Sequence, residues 1–405
     1  MALNAIVLGI TGISLIPLGQ YFFPKPVAQS VIVAITAGAP QLREEDKSLG
    51  GHVPGIAFFD SNGLRIGFKR GSRSDKIPAK QSRNVVVDPI DKDNNAVPEY
   101  MSIVGFGSDA VCISYITVTP PGGAKNWVLF GDTPKQCGAP WYHSNLGAGI
   151  GELYKPSCFW VDGLDSNGKT TNDIPQGYGI HLPDFPSVVN SGQAGDSARS
   201  EARQAQYTQY PDTMCKSTPR FKIYSRLDIL HCLPIFDPPL QYTADWADVD
   251  FAKLKTEGKP QCDPTPGQTP TAKQSLQLYK SRVDRFGIHP TYGTKRSVPE
   301  TSKVRRPRSC FEGRVIISDD VNHSAVELCQ SATSMGPDLA NTKEGKFCDM
   351  CTREIHPLCS EKITNGCFDV DSKALRKGSN GLQARDGMPG VVHHEKTYSD
   401  FSHWK

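Results

Sequence analysis

The sequence predicts a mainly β protein: an N-terminal β-sandwich or jelly-roll-like domain followed by a small disulfide-rich C-terminal region. Three observations predict it. Short apolar runs with period-two alternation recur through the first 189 residues, with no helix-period segment between them. Turn formers punctuate those runs, and the 405 residues include 37 glycines and 31 prolines. The 12 cysteines form an even set, and half of them lie at or beyond Cys310.

The first domain is read as 31–189. VIVAITAGAPQ (31–41) opens it. GIAFF and LRIGF flank Asp60-Ser61-Asn62-Gly63, and Asn-Gly between two alternating runs predicts a hairpin because both residues tolerate positive φ. NVVVD (84–88) is a strand closed by Pro89, and MSIVGFG follows it. AVCISYITVTP is a period-two run stopped by Pro-Pro-Gly-Gly. NWVLFGD, CFWVDGLDSNG and YGIHLPDF (178–185) complete the series.

Residues 190–250 read as a surface connection with added strands, in which FKIYSRLDILHCLPIF (221–236) packs back on the first domain. Residues 251–309 carry 13 Lys and Arg against four Asp and Glu. Pro, Thr and Gln fill much of the rest, so this is a basic Pro/Thr-rich linker with too little apolar area to offset its ordering entropy. Residues 310–378 form the cysteine-rich region, with a strand at EGRVIISDD. A segment under ~80 residues usually needs covalent staples. The tail, 379–405, is Gly-rich and expected to be mobile.

The N-terminus sets the compartment. It has no charged side chain before Lys25, Ala5 to Leu18 is mostly apolar, and Ala28-Gln-Ser30 offers small residues where a signal peptidase reads. Residues 1–30 are therefore read as a signal peptide and the protein as secreted and extracellular. The apolar run is broken by Pro17 and is short of the ~20 residues a span needs, so no membrane span is expected after processing. A net charge of +3 gives no ground for a nucleic-acid partner.

In an oxidising compartment Cys112, Cys137, Cys158, Cys215, Cys232, Cys262, Cys310, Cys329, Cys348, Cys351, Cys359 and Cys367 read as disulfides. KFCDMCTREIHPLC (346–359) also invites zinc or thiol-redox readings. Its CxxC is followed by single cysteines at 359 and 367, which fits no common zinc pattern, and no clear strand precedes it as redox chemistry needs. Asn322-His323-Ser324 is the only N-glycosylation sequon.

Signals for catalysis are weak. GxSxG, HExxH and phosphate-loop motifs are absent. In 162–173, Asp165, Asn167 and Gly168 suit a calcium loop, but Gly163 and Ile174 stand where ligands belong, so a turn is the better reading. Asp245, Asp248 and Asp250 flank Trp246, a weak glycosidase-like cluster. CGAPWYHSN (137–145) is the more unusual stretch. Trp141, Tyr142, His143 and Asn145 are candidate sugar-binding residues if the loop is exposed; alternatively Trp141 packs beside a Cys137 disulfide as core.

Two groups of motifs carry a resemblance. One is FFDSNGLRIG, SDAVCISYITVT, NWVLFGD and CGAPWYHSN; the other is HSAVELCQSATSMGPDLANTKEGKFCDM with PLC and CFD after it. Together, over about 50–185 and 310–370, they resemble a family of uncharacterised secreted cysteine-containing proteins of filamentous fungi. The resemblance implies export and a cysteine signature, but no catalytic residues. Cys351 stands where it implies a non-cysteine residue. The expectation is a secreted, disulfide-stabilised, non-catalytic surface or wall protein without cofactor, with cell-wall polysaccharide as partner. The alternatives are a glycoside-type hydrolase using 245–250 and a host-directed effector or toxin.

Overall fold

The structure is a computed structural model that describes residues 23–38, 49–79, 81–92, 97–123, 126–148, 154–165, 168, 170, 174–185, 187–188, 212–229, 232–236, 239–240, 259–260, 310–376 and 394–404. It is mainly β, 43% strand and 9% helix, with several sheets and, among the described residues, three short helices.

Two antiparallel sheets build the N-terminal part. The first runs Trp141–Tyr142, Cys158–Val161, Val111–Thr119, Val31–Ala37, Ser82–Val87, and Asn126–Phe130 pairs with the second half of the long 111–119 strand. The second runs Phe221–Tyr224, Gly177–His181, Tyr100–Val104, Gly55–Phe59, Arg65–Lys69. Period-two alternation sorts their side chains. Val33, Ile35, Ile113 and Phe159 of the first sheet share one core cluster with Ile56, Phe58, Met101 and Ile103 of the second. Ala57 and Phe59 face the other way, into a cluster with Tyr100, Leu227, Ile229, Leu233, Ile235 and Phe236. The 221–236 segment therefore packs back, and GIAFF is apolar throughout because both of its faces are covered.

The Asp60–Gly63 turn forms the expected hairpin, though only Gly63 uses positive φ, at 78°. Its amide donates to the Asp60 carbonyl, and Asp60 Oδ1 accepts from the amides of Asn62 and Leu64. A register shift at Phe58/Phe59 accompanies this turn plus left-handed glycine.

The C-terminal part centres on a five-stranded sheet in the order Glu354–Pro357, Lys346–Asp349, Gly336–Asn341, Cys310–Ser318, Asp400–Trp404. The 310–318 strand takes a parallel partner on each side; the other two pairings are antiparallel. The expectation of a mobile tail is corrected here. His394–Thr397 pairs with Ala374–Arg376, and Asp400–Trp404 forms a sheet edge with Trp404 wholly buried. The glycines near 380 suggested mobility, but burying Tyr398 and Trp404 outweighs the entropy of ordering these strands. Within the expected linker, Lys259–Pro260 pairs with Pro234–Ile235; the rest of 251–309 lies outside the described residues, as do 190–211 and 1–22. Phe23, inside the expected signal peptide, packs in a core cluster with Val128, Phe130 and Ala148.

Candidate functional site

The chemistry-bearing residues converge where the two parts meet. Helix Asp132–Gln136 ends at Cys137, which is bonded to Cys215, and Gly138 turns the chain at φ 86°. Trp141–Tyr142 then pairs with Cys158–Phe159. Its free edge is taken by the C-terminal part: the Trp141 amide donates to the Thr333 carbonyl at 3.2 Å, and the Met335 amide to the Trp141 carbonyl at 2.8 Å.

Side chains seal the same junction. Trp141 Nε1 donates to Ser331 Oγ, the Tyr142 hydroxyl to the Pro337 carbonyl, and Trp160 Nε1 to the Met335 carbonyl. Gly336 lies so close to the Tyr142 ring that a Cβ there would sit 2.3 Å from Cδ2. Arg353 braces the helix end and loop that face Trp141, with bonds to the carbonyls of Leu328 and Ser331 and to Ser334. A single apolar cluster spans the junction, joining Trp141, Tyr142 and Trp160 to Ile316, Leu339 and Trp404.

The sugar-platform expectation for 137–145 is corrected by this packing. Trp141, Tyr142, His143 and Asn145 are 1%, 0%, 4% and 4% exposed, so none offers a face to a pyranose. Of the alternative reading, Trp141 is core and Cys137 is disulfide-bonded, but Trp141 packs in the cluster shared with the C-terminal part, whereas Cys137 and Cys215 pack against the core between the two N-terminal sheets.

Two histidines meet at the junction. The His143 and His323 ring centroids are 5.2 Å apart. His143 Nε2 faces the Ser324 carbonyl at 3.1 Å, and His323 Nε2 faces the Ser144 carbonyl at 3.2 Å. A nitrogen facing a carbonyl must donate, so each neutral ring carries its proton on Nε2. His323 Nδ1 then accepts from Ser318 Oγ at 2.8 Å. Burial holds His143 well below the usual imidazole range, with the neighbouring His323 and Lys135 acting in the same direction. Burial lowers His323 to about 4, with Lys155 adding to the effect and Asp320 opposing it. Serine beside histidine suggests a nucleophile and base, but Ser318 is wholly buried and the second ring nitrogen faces a carbonyl where an orienting acid would stand.

Ion pairs flank the histidines. Lys135 bonds Glu327 at 2.6 Å and stacks on the Trp141 ring. Lys155 bridges Asn145 Oδ1 and Asp320 Oδ2 at 2.5 and 2.7 Å. Asp320 is penalised by burial, but Lys155 and the Asn322 amide outweigh that and lower its pKa.

Two further buried networks lie outside the histidine clasp. Asp338, Asp349 and Cys351 are close enough to suggest a metal site. Cys351 is disulfide-bonded, however, and Lys396 Nζ already sits 2.5 Å from Asp338 and 3.1 Å from Asp349, with the Tyr398 hydroxyl also on Asp338. Burial raises the Asp338 pKa despite Lys396. In the second sheet, His181 binds Asp184 through Nδ1 and Glu99 through Nε2, and Arg220 holds the other Asp184 oxygen. Burial pulls His181 down, but the two carboxylates more than offset it and raise its pKa.

The cysteines pair as 112–158, 137–215, 329–348 and 359–367. Cys232 and Cys351 are also disulfide-bonded, and no described cysteine is free. The CxxC at 348–351 is therefore not a redox pair: Cys348 is joined to Cys329. Asn322 is exposed on a turn, while Ser324 of the same sequon caps helix Ala325–Gln330. At the calcium-loop candidate, the Gly168 amide donates to the Asp165 carbonyl, as a turn requires. Asp245, Trp246, Asp248, Asp250 and Cys262 lie outside the described residues.

Sequence reasoning missed His181, His323, Asp338 and Lys396. One signal was present: His-Ser occurs at 143–144 and again at 323–324, the two dipeptides that clasp each other. No family model matches the chain, and no curated protein matches it.

Proposed function

We propose that this chain is a secreted, disulfide-stabilised extracellular protein that acts by binding, with cell-wall polysaccharide as its ligand class. One observation carries the non-catalytic part. The buried histidines and acids described above are closed by partners inside the fold: His323 by Ser318 and Ser144, His181 by Asp184 and Glu99, Asp338 by Lys396. A catalytic acid or base needs an open side toward substrate, and these have none. The disulfides support export, as does the motif resemblance to secreted fungal proteins.

With 141–145 buried, the ligand must meet another surface. The end of the 65–69 strand offers one. Lys69, Arg70 and Arg73 are exposed, whereas nearby Arg83 and Lys76 are neutralised by Asp75 and Asp109. Three cations within five residues suit a polymer carrying carboxylate or phosphate groups. Asn322, exposed in the only sequon, is proposed to carry an N-glycan.

The test is depletion of purified full-length protein by insoluble chitin, β-glucan and an acidic polysaccharide. The reading expects retention on the acidic polymer that weakens with salt and falls at least tenfold in the Lys69→Gln/Arg70→Gln/Arg73→Gln variant. Protein that ignores all three polymers, or a variant that binds like wild type, would refute it.

A further inference from the structure

The geometry points to an acid-sensitive latch: protonation of His143 and His323 opens the junction between the N-terminal part and residues 310–404, while each part keeps its own disulfide-bonded sheet. The clasp is reciprocal. Each imidazole donates to the carbonyl of the serine that follows the other, so the clasp belongs to both parts. The rings lie 5.2 Å apart and both are buried. One neutral pair fits there; two imidazolium ions at that separation repel each other.

The charges around the pair favour the neutral form. Lys135 approaches from helix Asp132–Gln136 and Lys155 from the segment before Cys158, and both disfavour a second cation. Asp320, already engaged by Lys155, and the Ser144 carbonyl favour charge on His323, and the Ser324 carbonyl favours it on His143, but burial outweighs them. Glu344 is occupied in capping Ser324 and the first amides of helix Ala325–Gln330, and Asp319 is paired with His403. Trp404 closes the remaining side edge-on, without charge. A proton on His323 would also strip Nδ1 of its acceptor role toward Ser318.

The direction follows from linkage. A base whose closed-state pKa is depressed stabilises that state fully above its free value and loses the contribution as pH falls. For His323 the window runs from 6.5 to about 4, which shifts the opening equilibrium by up to ~300-fold. His143 acts in the same direction. Each part also has a core of its own away from the junction: the cluster around Val33, Ile103 and the 137–215 bond in one, and the cluster of Val315, Phe347 and Phe368 in the other.

Hydrogen exchange on the full-length protein at pH 7 and pH 4, corrected for intrinsic rates, tests the latch. The amides of Trp141 and Met335 bond across the junction and report its opening, while the strand Tyr100–Val104 reports unfolding of the N-terminal part. The latch predicts that Trp141 and Met335 lose at least ~100-fold in protection at pH 4 while the 100–104 strand keeps its own. His143→Gln with His323→Gln, which keeps an amide donor but cannot titrate, should remove the pH dependence. Three results would overturn the proposal: unchanged protection at the junction, equal loss in the 100–104 strand, or the same acid loss in the double variant. If that variant does not fold, the wild-type comparison decides alone.

Discussion

His143 and His323 each donate a hydrogen bond to the carbonyl of the serine that follows the other. This relationship ties the two motif groups that the sequence holds about 180 residues apart. CGAPWYHSN supplies one side, and HSAVELCQSATSMGPD supplies the other. Residues that looked like a ligand-binding loop and a cysteine signature are the two faces of one junction.

Trp141→Ala should cost about 3–5 kcal/mol, because the change opens a cavity in the shared core and leaves Ser331 without its indole donor. Chemical denaturation measures this. A loss below ~1 kcal/mol would mean that the loop stands free of the core.

Gly336→Ala should destabilise by about 1–3 kcal/mol, since the Tyr142 ring cannot yield while its hydroxyl is held by the Pro337 carbonyl. In a double-mutant cycle with Tyr142→Ala the two losses should be far from additive. Additive losses would place the clash elsewhere.

Lys396→Met leaves Asp338 and Asp349 buried without their cation, so a loss of about 3–5 kcal/mol is expected at pH 7. Burial already raises Asp338, and a carboxyl with a raised folded pKa weakens the fold as pH rises through that value. Without Lys396 the effect grows. The gap to wild type should therefore narrow as pH falls from 7 toward 4, and a gap that widens in acid would contradict the pairing.

Peptide mapping without reduction should recover the links 112–158, 137–215, 329–348 and 359–367. Full oxidation of the 12 cysteines predicts a gain of about 12 Da on reduction. A Cys348–Cys351 link, or stoichiometric zinc with free thiols there, would restore the readings the structure sets aside.

Much of the architecture was legible in the sequence. The strands at GIAFF, NVVVD, AVCISYITVTP and NWVLFGD follow from alternation and from glycine and proline stops, which are local properties. The hairpin at Asp60–Gly63 was legible for the same reason. The site was not. Burial of Trp141 depends on Thr333 and Met335, and no local pattern announces a partner so distant in the chain. The strand Asp400–Trp404 escaped notice because its pairing with Arg314–Ser318 is parallel and long-range, while the glycines just before it suggested mobility. Lys396 read as one more tail charge until Asp338 and Asp349 stood beside it.

The central claim is that the N-terminal and C-terminal parts share one core through this junction. Thermal unfolding of the full-length protein at pH 7, followed together by calorimetry, far-ultraviolet circular dichroism and tryptophan fluorescence, tests it most directly. Trp141, Trp160 and Trp404, three of the five tryptophans, lie in the shared cluster, so fluorescence is weighted toward the junction. One cooperative transition with coincident midpoints is expected. Two resolved transitions, with tryptophan emission changing in a step of its own, would contradict it.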